Sequence, residues 1–156
     1  MSERSGFESN EEAVRYMKRI AVKGSGFTRF LDIEPLTVWD GMSELVVPVR
    51  DDMTQHHGFA HGAIVGAMAD NACAWAGSSV LGDVVTGSYS INFLNPARGT
   101  HLRAKGRVVK AGKRQAVVQA EVWAEGGEGP AVLAAVATAT IIPTGLPRDN
   151  VRRGEG

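Results

Sequence analysis

One carboxylate lies in the middle of a long apolar stretch, and the chemistry of this chain is most readily expected there. Asp70 falls inside the segment from Gly62 to Leu81, which is predominantly apolar and has Asn71 as its other polar residue near the centre. An ionised carboxylate is costly to bury unless it is paired, hydrogen-bonded or used in a reaction. Asp70 is therefore either structural, capping a loop or pairing with an arginine, or catalytic. The residues alone leave both interpretations open.

A helix from about His61 to Val80 must position this carboxylate. The segment is apolar on nearly all sides, so the helix must be enclosed by the rest of the protein. The residues on the side of Asp70 are all small, which leaves room for another element or a ligand: Ala63, Gly66, Ala67, Cys73, Ala74 and Gly77. The free N–H groups at the helix start, at Gly62, suit a carbonyl oxygen or an anion. A glycine that merely begins a helix is the alternative.

The spacing of Gly62 and Asp70 restricts how they could act together. They are eight residues apart, which is about 12 Å along a helix. A carbonyl group held at Gly62 cannot easily meet the Asp70 of the same helix. If both take part in one reaction, a second subunit must supply one of them, so the sequence predicts a site between subunits.

The remaining segments predict mostly strands. Ser9 and Glu12 form a capping box that opens an N-terminal helix, and residues 30–49 are expected to be extended, with a hairpin turn at Asp40-Gly41. Alternation predicts a strand through Tyr89, Ile91 and Phe93, and further strands follow at residues 102–109 and 116–124. The continuous apolar run at 131–142 predicts a strand covered on both faces.

Strands in runs around one buried helix predict an α+β fold, with an antiparallel sheet wrapped around that helix. The expected organisation is an N-terminal helix and lead-in at residues 1–27, one domain at 28–143 and a disordered tail at 144–156. A chain of 156 residues suits a single domain with a sizeable core.

Charge and composition exclude several classes of partner. Seventeen basic residues balance seventeen acidic ones, and the sequence pI is about 6.9, so neither nucleic acid nor an anionic membrane is expected as the main partner. The first residues lack the apolar stretch of a signal peptide. Asp70 and Asn71 argue against a membrane span in the apolar segment, and we expect a cytoplasmic protein.

Metal and cysteine chemistry are disfavoured by the local sequence. His56, His57 and His61 lack the glutamate of a helical His-Glu-x-x-His pattern, and Gly58 separates the first two from the helix. No metal site is therefore expected. Cys73 is the single cysteine, and its apolar surroundings are typical of an inert core thiol.

The segment from Gln55 to Asp70 resembles the PaaI-like family of hotdog-fold acyl-CoA thioesterases, and the similarity extends over about residues 28–142. That family has an Asn or Gln, a short loop, His-Gly-Gly at a helix start, and an Asp or Glu nine residues after the His. Here Gln55 comes first, His61-Gly62-Ala63 stands at the helix start, and Asp70 follows at the expected distance. Ala63 in place of the second glycine and Gln55 in place of the commoner Asn are departures that affect fine geometry.

The resemblance implies a hotdog fold and a role for each matching residue. Asp70 would be the general base or the nucleophile, and the Gly62 N–H would polarise the thioester carbonyl. Gln55 would hold the water or the carbonyl, and Thr86, in the following strand, would hydrogen-bond the water or orient Asp70. Substrate-binding roles follow for four neighbouring residues: His61, Ala63, His56 and Phe59.

The implied substrate is the CoA thioester of a small aromatic or short- to medium-chain acyl group, with coenzyme A as part of the substrate and no separate cofactor. The expected assembly is a homodimer or a dimer of dimers, a homotetramer. Basic residues near turns could contact the CoA phosphates: Arg98, Lys110, Lys113 and Arg114. The alternatives are a non-catalytic acyl-CoA-binding or sensing protein, and a hotdog hydratase or dehydratase, which usually has a His–acid pair.

Overall fold

The chain folds as a six-stranded antiparallel sheet wrapped around one long helix. A computed structural model describes residues 6–148. The helices are α1 Asn10–Met17, α2 Gly26–Leu31 and α3 Gly62–Leu81, with a π-helical turn at Lys18–Val22 and a 3₁₀ turn at Asp51–Met53. The strands are β1 Glu34–Trp39, β2 Met42–Pro48, β3 Val84–Phe93, β4 His101–Ala111, β5 Ala116–Glu125 and β6 Val132–Pro143. The predicted α+β hotdog architecture is confirmed.

The strand order places β1 and β3 at the two edges of the sheet. The order is β1-β2-β4-β5-β6-β3, and every neighbouring pair is antiparallel. The β1–β2 hairpin turns at Asp40 and Gly41, whose φ angles are 49° and 77°. Two positive φ angles match the twist of a tight hairpin, and aspartate followed by glycine tolerates them. This predicted turn is confirmed.

The sheet encloses α3 on most of its circumference. The large side chains of α3, including Val65, Met68 and Trp75, are buried in the core beneath the sheet. One strip of the helix, from Ala63 through Ala67 and Asp70, stays exposed or half-exposed. Although α3 has twenty residues, no helix within residues 6–148 is both long enough and apolar enough to cross a membrane.

Small residues allow the sheet to approach α3 very closely. Ser43 Oγ in β2 donates a hydrogen bond of 2.6 Å to the Ala72 carbonyl of α3. A Cβ added to Gly106 in β4 would lie 2.3 Å from that same carbonyl oxygen, and one added to Gly77 would lie 2.7 Å from Ile141. Backbone and side chain meet at these points with no room for a methyl group.

Two local predictions were wrong. Residues 26–31 form a short helix where residues from Phe30 onward were expected to be extended. The Ser25 hydroxyl caps its start by accepting from the Thr28 N–H, and Asp32 ends it at a φ of 57°. Strand β6 buries alternate residues such as Ala137 and Ala139 rather than both faces, because within one protomer α3 covers only the inner face of the sheet.

The described segments near the two ends of the chain have defined hydrogen bonds. The predicted cap of α1 is confirmed, since Ser9 Oγ accepts from the Glu12 N–H at 3.2 Å. Residues 144–148, which were assigned to a disordered tail, make defined contacts: Thr144 Oγ1 donates to the Asp83 carboxylate, and Arg148 donates to Ser78 Oγ at 3.1 Å. Residues 149–156 lie outside the described part, and the domain boundary at residue 28 stays a prediction.

The close contact at Gly106 predicts a strong effect on stability. Gly106→Ala should lower the free energy of unfolding by about 3 kcal/mol, the upper end of the usual cost of overpacking, because the new methyl group meets the rigid Ala72 backbone. Gly112→Ala is the matched control, since its Cβ would lie 3.6 Å from the nearest atom. Urea unfolding of both variants checks this. Equal midpoints would contradict the proposed close fit of β4 on α3.

Candidate active site

Asp70 lies on the incompletely covered side of α3 and is hydrogen-bonded to β3. Its side chain is half-buried, and its Oδ1 accepts a hydrogen bond of 2.7 Å from Thr86 Oγ1. No other hydrogen bond to Asp70 occurs within the described residues, so Oδ2 has no partner there. The contact between Asp70 and Thr86 had been expected from the family resemblance alone.

Strand β3 follows the small-residue side of α3 in the opposite direction. A Cβ added to Gly62 would lie 3.5 Å from the Phe93 ring, and one added to Gly66 would lie 3.3 Å from the Tyr89 hydroxyl. Successive contacts along the helix therefore pair position 62 with position 93, 66 with 89, and Asp70 with Thr86. Phe93 was not recognised as part of a site from the sequence, although the alternation in β3 placed it on the face of Tyr89.

The start of α3 has a single N–H group without a hydrogen-bond partner in the described structure. His61 is the N-cap, and its Nδ1 accepts from the Ala63 N–H at 2.9 Å. The His61 carbonyl accepts from the N–H groups of Ile64 and Val65. Gly62 is thus left with a free N–H at the positive end of the helix dipole. His61, to which the resemblance assigned a substrate-binding role, thus caps the helix through the Ala63 N–H.

An apolar cleft of about 320 Å³ opens beside Gly62. It is lined by Phe59, Ala60, Gly62, Val65, Phe93 and residues 95–97. The guanidinium of Arg98 lies over the outer face of the Phe59 ring, 4.9 Å from its centroid. The cleft therefore offers a mainly apolar wall next to Gly62.

Gln55 and the histidines belong to the loop that precedes α3. Gln55 Oε1 accepts a hydrogen bond of 2.7 Å from the His57 N–H, and the Gln55 N–H donates to the Phe59 carbonyl. The rings of His56 and His57 lie 4.0 Å apart. No group of three or more histidine, cysteine or acidic side chains within residues 6–148 has a geometry suited to a metal ion.

The structure therefore divides the predicted site residues between the start and the middle of α3. His56, Phe59, His61 and Ala63 lie near the helix start with Gln55 and Gly62, whereas Asp70 and Thr86 lie two helical turns further along. Eight residues of helix separate Gly62 from Asp70 by about 12 Å. One protomer alone does not bring the free N–H and the carboxylate onto one small reacting group.

The outer edge of β3 is unpaired within the described chain. This strand pairs with β6 on one side only, and its aromatic side chains are substantially exposed, with Tyr89 at 46% and Phe93 at 57%. Val85 and Leu94 are also exposed. An apolar strand edge of this kind is suited to pairing with another chain.

Cys73 lies one turn from Asp70 but faces the core. Its side chain is fully buried, and the nearest polar partner is the Val118 carbonyl, at 3.8 Å from Sγ. Burial, followed by the negative charge of Asp70, raises the pKa of the Cys73 thiol to about 12. The thiol is therefore protonated at neutral pH, which excludes it as a nucleophile.

Comparison with known proteins finds thioesterases. Residues 57–131 match the model of the Thioesterase superfamily. A thioesterase family protein of Silicibacter pomeroyi is 31% identical, with 86% of this chain and 97% of that chain covered and a TM-score of 0.77. A mutant of the phenylacetic acid degradation protein PaaI of Thermus thermophilus is 29% identical, with 76% and 99% covered and a TM-score of 0.67.

A further similar protein is a hypothetical thioesterase of Streptococcus pneumoniae, solved in two mutant forms. Each is 25% identical to this chain and covers 73% of it. The matches cover 92% and 91% of those chains, with TM-scores of 0.64 and 0.63. One form has an aspartate replaced by alanine, and the other has a threonine sixteen residues later replaced by alanine.

The raised pKa of Cys73 predicts an unreactive thiol. At pH 8 a thiol with a pKa of about 12 is ionised in about one molecule in ten thousand, so a disulfide reagent should modify the native protein at least ~10²-fold more slowly than the unfolded protein. Because Cys73 is the single cysteine, the absorbance of the released chromophore reports on this residue alone. Equal rates for folded and unfolded protein would contradict both the burial and the pKa.

Proposed function

Since this chain belongs to the thioesterase superfamily and shares the hotdog fold of its PaaI-like relatives, we propose that it hydrolyses acyl-CoA thioesters. The acyl group is a small aromatic or a short- to medium-chain one, in keeping with the modest apolar cleft beside Gly62. Coenzyme A enters as part of the substrate. Asp70 and Gly62 perform the chemistry, and Gln55 and Thr86 position the reacting groups.

The hydrogen bond between Thr86 and Asp70 is the observation that carries this proposal. A hydroxyl that donates to Oδ1 holds the carboxylate in one orientation and leaves Oδ2 free to accept a proton from water or to attack a carbonyl carbon. The pneumococcal relative supports the pairing, because its substituted aspartate and threonine have the same separation as Asp70 and Thr86. A structural role alone would not require a carboxylate with an unpaired oxygen on the open side of α3.

The Gly62 N–H supplies the second requirement of thioester hydrolysis. As water or the carboxylate adds to the thioester carbon, negative charge develops on the carbonyl oxygen. A preorganised N–H donor at a helix start stabilises that charge. The tetrahedral species then expels the CoA thiolate, which takes up the proton released from the attacking water. If Asp70 is the nucleophile instead, water afterwards hydrolyses the acyl-aspartate anhydride.

Self-association completes the site in this proposal. The separation of Gly62 and Asp70 along one helix requires that the helix start, with Gln55 in its loop, reach the Asp70 of a second subunit. The free edge of β3 and its exposed aromatic side chains provide a surface for that subunit. The proposed assembly is a homodimer with two equivalent sites, or a homotetramer built from two such dimers.

The proposal is tested first by release of free thiol from a panel of acyl-CoAs. A binding or sensing protein would bind the panel without releasing thiol. A hydratase or dehydratase would change the acyl group of an unsaturated or hydroxylated acyl-CoA and leave the thioester intact. Thiol release by the purified protein, abolished by a substitution at Asp70, distinguishes hydrolysis from both alternatives.

Asp70→Asn should keep the fold and the assembly but reduce turnover by at least ~10²-fold, the usual contribution of a general base. Thr86→Val, which removes the hydroxyl at nearly constant volume, should cost less because Thr86 orients the carboxylate and does not move a proton. The rate of thiol release, with circular dichroism as the check on folding, measures both. Near-wild-type hydrolysis by folded Asp70→Asn would show that Asp70 is neither the general base nor the nucleophile.

Gly62→Pro should also cost about 10²-fold or more in turnover, as expected on removal of an oxyanion donor, because proline has no N–H. The backbone tolerates this change, since proline is favoured at the first position of a helix and His61 already has φ −63° and ψ 142°. Gly62→Ala keeps the N–H and is the control. Equal activity of the two variants would remove Gly62 from the mechanism.

Mixing Gly62→Pro and Asp70→Asn subunits then tests the interfacial site. If the two residues act across the interface, each mixed dimer contains one doubly damaged and one intact site and has half the activity of a wild-type dimer. Because random exchange of equal amounts makes about half of the dimers mixed, the activity of the mixture should approach about a quarter of that of the wild type. If they act within one chain, every site retains a lesion and mixing restores nothing. Co-purification of differently tagged subunits establishes that exchange has occurred.

A further inference from the structure

Four flat side chains lie in a row beside the Gly62 cleft, with the His56 and His57 rings tilted at 41° to each other and those of His57 and Phe59 nearly parallel. The His56 and His57 ring centroids lie 4.0 Å apart, and those of His57 and Phe59 lie 6.2 Å apart with 14° between the ring planes. The Arg98 guanidinium carbon lies 4.9 Å from the Phe59 centroid. We call this row of His56, His57, Phe59 and Arg98 the rim. Phe59 connects it to the cleft, because its ring also lines the wall beside Gly62.

Arg98 gives the rim one positive charge, which no carboxylate pairs with in residues 6–148. Arg98 is exposed and forms no ion pair there. Glu128 lines the neighbouring depression together with Arg98, but the two groups are not in ion-pair contact. By contrast, Arg103 on the sheet binds two carboxylates, and Arg50 pairs with Asp52. The guanidinium of Arg98 is therefore available to an anionic ligand.

We propose that the rim binds the phosphate groups of the CoA moiety, with Arg98 as the principal contact; this rests on the proposed acyl-CoA thioesterase function. The position of the guanidinium over the Phe59 ring, 4.9 Å from its centroid, restricts the side chain, and its N–H groups have no ion-pair partner in the described residues, so they can bind phosphate oxygens. The imidazole N–H groups of His56 and His57 add donors beside it. A flexible pantetheine arm then runs from the rim past Phe59 to the thioester at Gly62.

This assignment separates recognition of the carrier from the hydrolytic step. The acyl group and the thioester contact the apolar cleft and the Gly62 N–H, whereas Arg98 contacts only the phosphorylated part of the substrate. Arg98 thus determines specificity for CoA thioesters over thioesters of thiols that lack phosphate. The same residue would not discriminate between acyl groups.

The test compares two substrates that share one acyl group: the CoA thioester and the N-acetylcysteamine thioester, which has no phosphate. In Arg98→Gln the ratio of kcat/KM for the CoA thioester to that for the N-acetylcysteamine thioester should fall about tenfold, the loss expected for one charge-assisted contact, mainly through KM. Arg98→Lys, which keeps the charge but not the planar stack, should lie between. Arg107→Gln, at an exposed arginine on the outer face of the sheet, is the matched control and should leave the ratio unchanged.

Each outcome decides between the proposals. If the ratio is unchanged in Arg98→Gln, or if kcat/KM falls equally for both substrates, the proposed phosphate binding by the rim is wrong. The proposed thioester hydrolysis is not affected by that result. If the wild type hydrolyses neither thioester, the proposed function is wrong. Calorimetric titration with free coenzyme A then tests phosphate binding by the rim separately. Binding that weakens about tenfold in Arg98→Gln supports the rim; unchanged binding, or no binding to the wild type, overturns it.

Discussion

The close contact between α3 and the sheet is the constraint on which the rest of the structure depends. An antiparallel sheet can curl around a helix only where side chains at the contact are small enough for the two backbones to approach. Gly106 against the Ala72 carbonyl and Gly77 against Ile141 are such positions. The Ser43 hydroxyl adds a hydrogen bond from the sheet to the helix backbone. These contacts fix both the distance and the rotation of α3.

That rotation determines which helix residues can be used for chemistry. The sheet covers the sides bearing Met68 and Trp75, so the strip that carries Asp70 stays at the boundary between core and surface. Cys73, one turn away, faces inward, and its burial keeps the thiol protonated. A carboxylate at this boundary is held by Thr86 yet open on its other oxygen. The same packing thus leaves the Asp70 carboxylate accessible and keeps the neighbouring Cys73 thiol protonated.

Local sequence predicted the elements whose signals are local. Asp40-Gly41 specifies a tight hairpin by itself, and an all-round apolar segment after His61 specifies an enclosed helix. Helix α2 was not predicted because it has only six residues. That is too few to show a helical period, and the aromatic residues in it also suit strands. The one-sided burial of β6 was not predicted, because an unbroken apolar run does not show which faces of a strand are covered in one protomer.

For the candidate site too, local features were predictable from the sequence and tertiary contacts were not. The cost of burying a carboxylate drew attention to Asp70, and the free N–H groups of a helix start drew attention to Gly62, but both could also be structural. Helix spacing gave the separation of the two residues. The contacts of Thr86 with Asp70 and of Phe93 with Gly62 depend on how β3 is registered against α3, which tertiary packing sets and no spacing in the sequence encodes. The stacking of Arg98 on Phe59 joins two loops 39 residues apart, so the sequence could suggest a basic residue near a turn but not its position at the cleft.

The division of the proposed site between the start and the middle of α3 follows from the rigidity of that helix. A helix holds Gly62 and Asp70 at a fixed separation, so no side-chain movement within one protomer can close the distance between them. Strand β3, which runs beside the same strip, is an edge strand with exposed aromatic groups, and its outer edge is unpaired within residues 6–148. A second chain paired at that edge in the antiparallel sense would bring its own helix start towards the Asp70 of the first. In the proposed mechanism, hydrolysis therefore depends on association. The Gly62 N–H of the same subunit is too far from Asp70 along α3, so the second subunit supplies the N–H that binds the carbonyl oxygen.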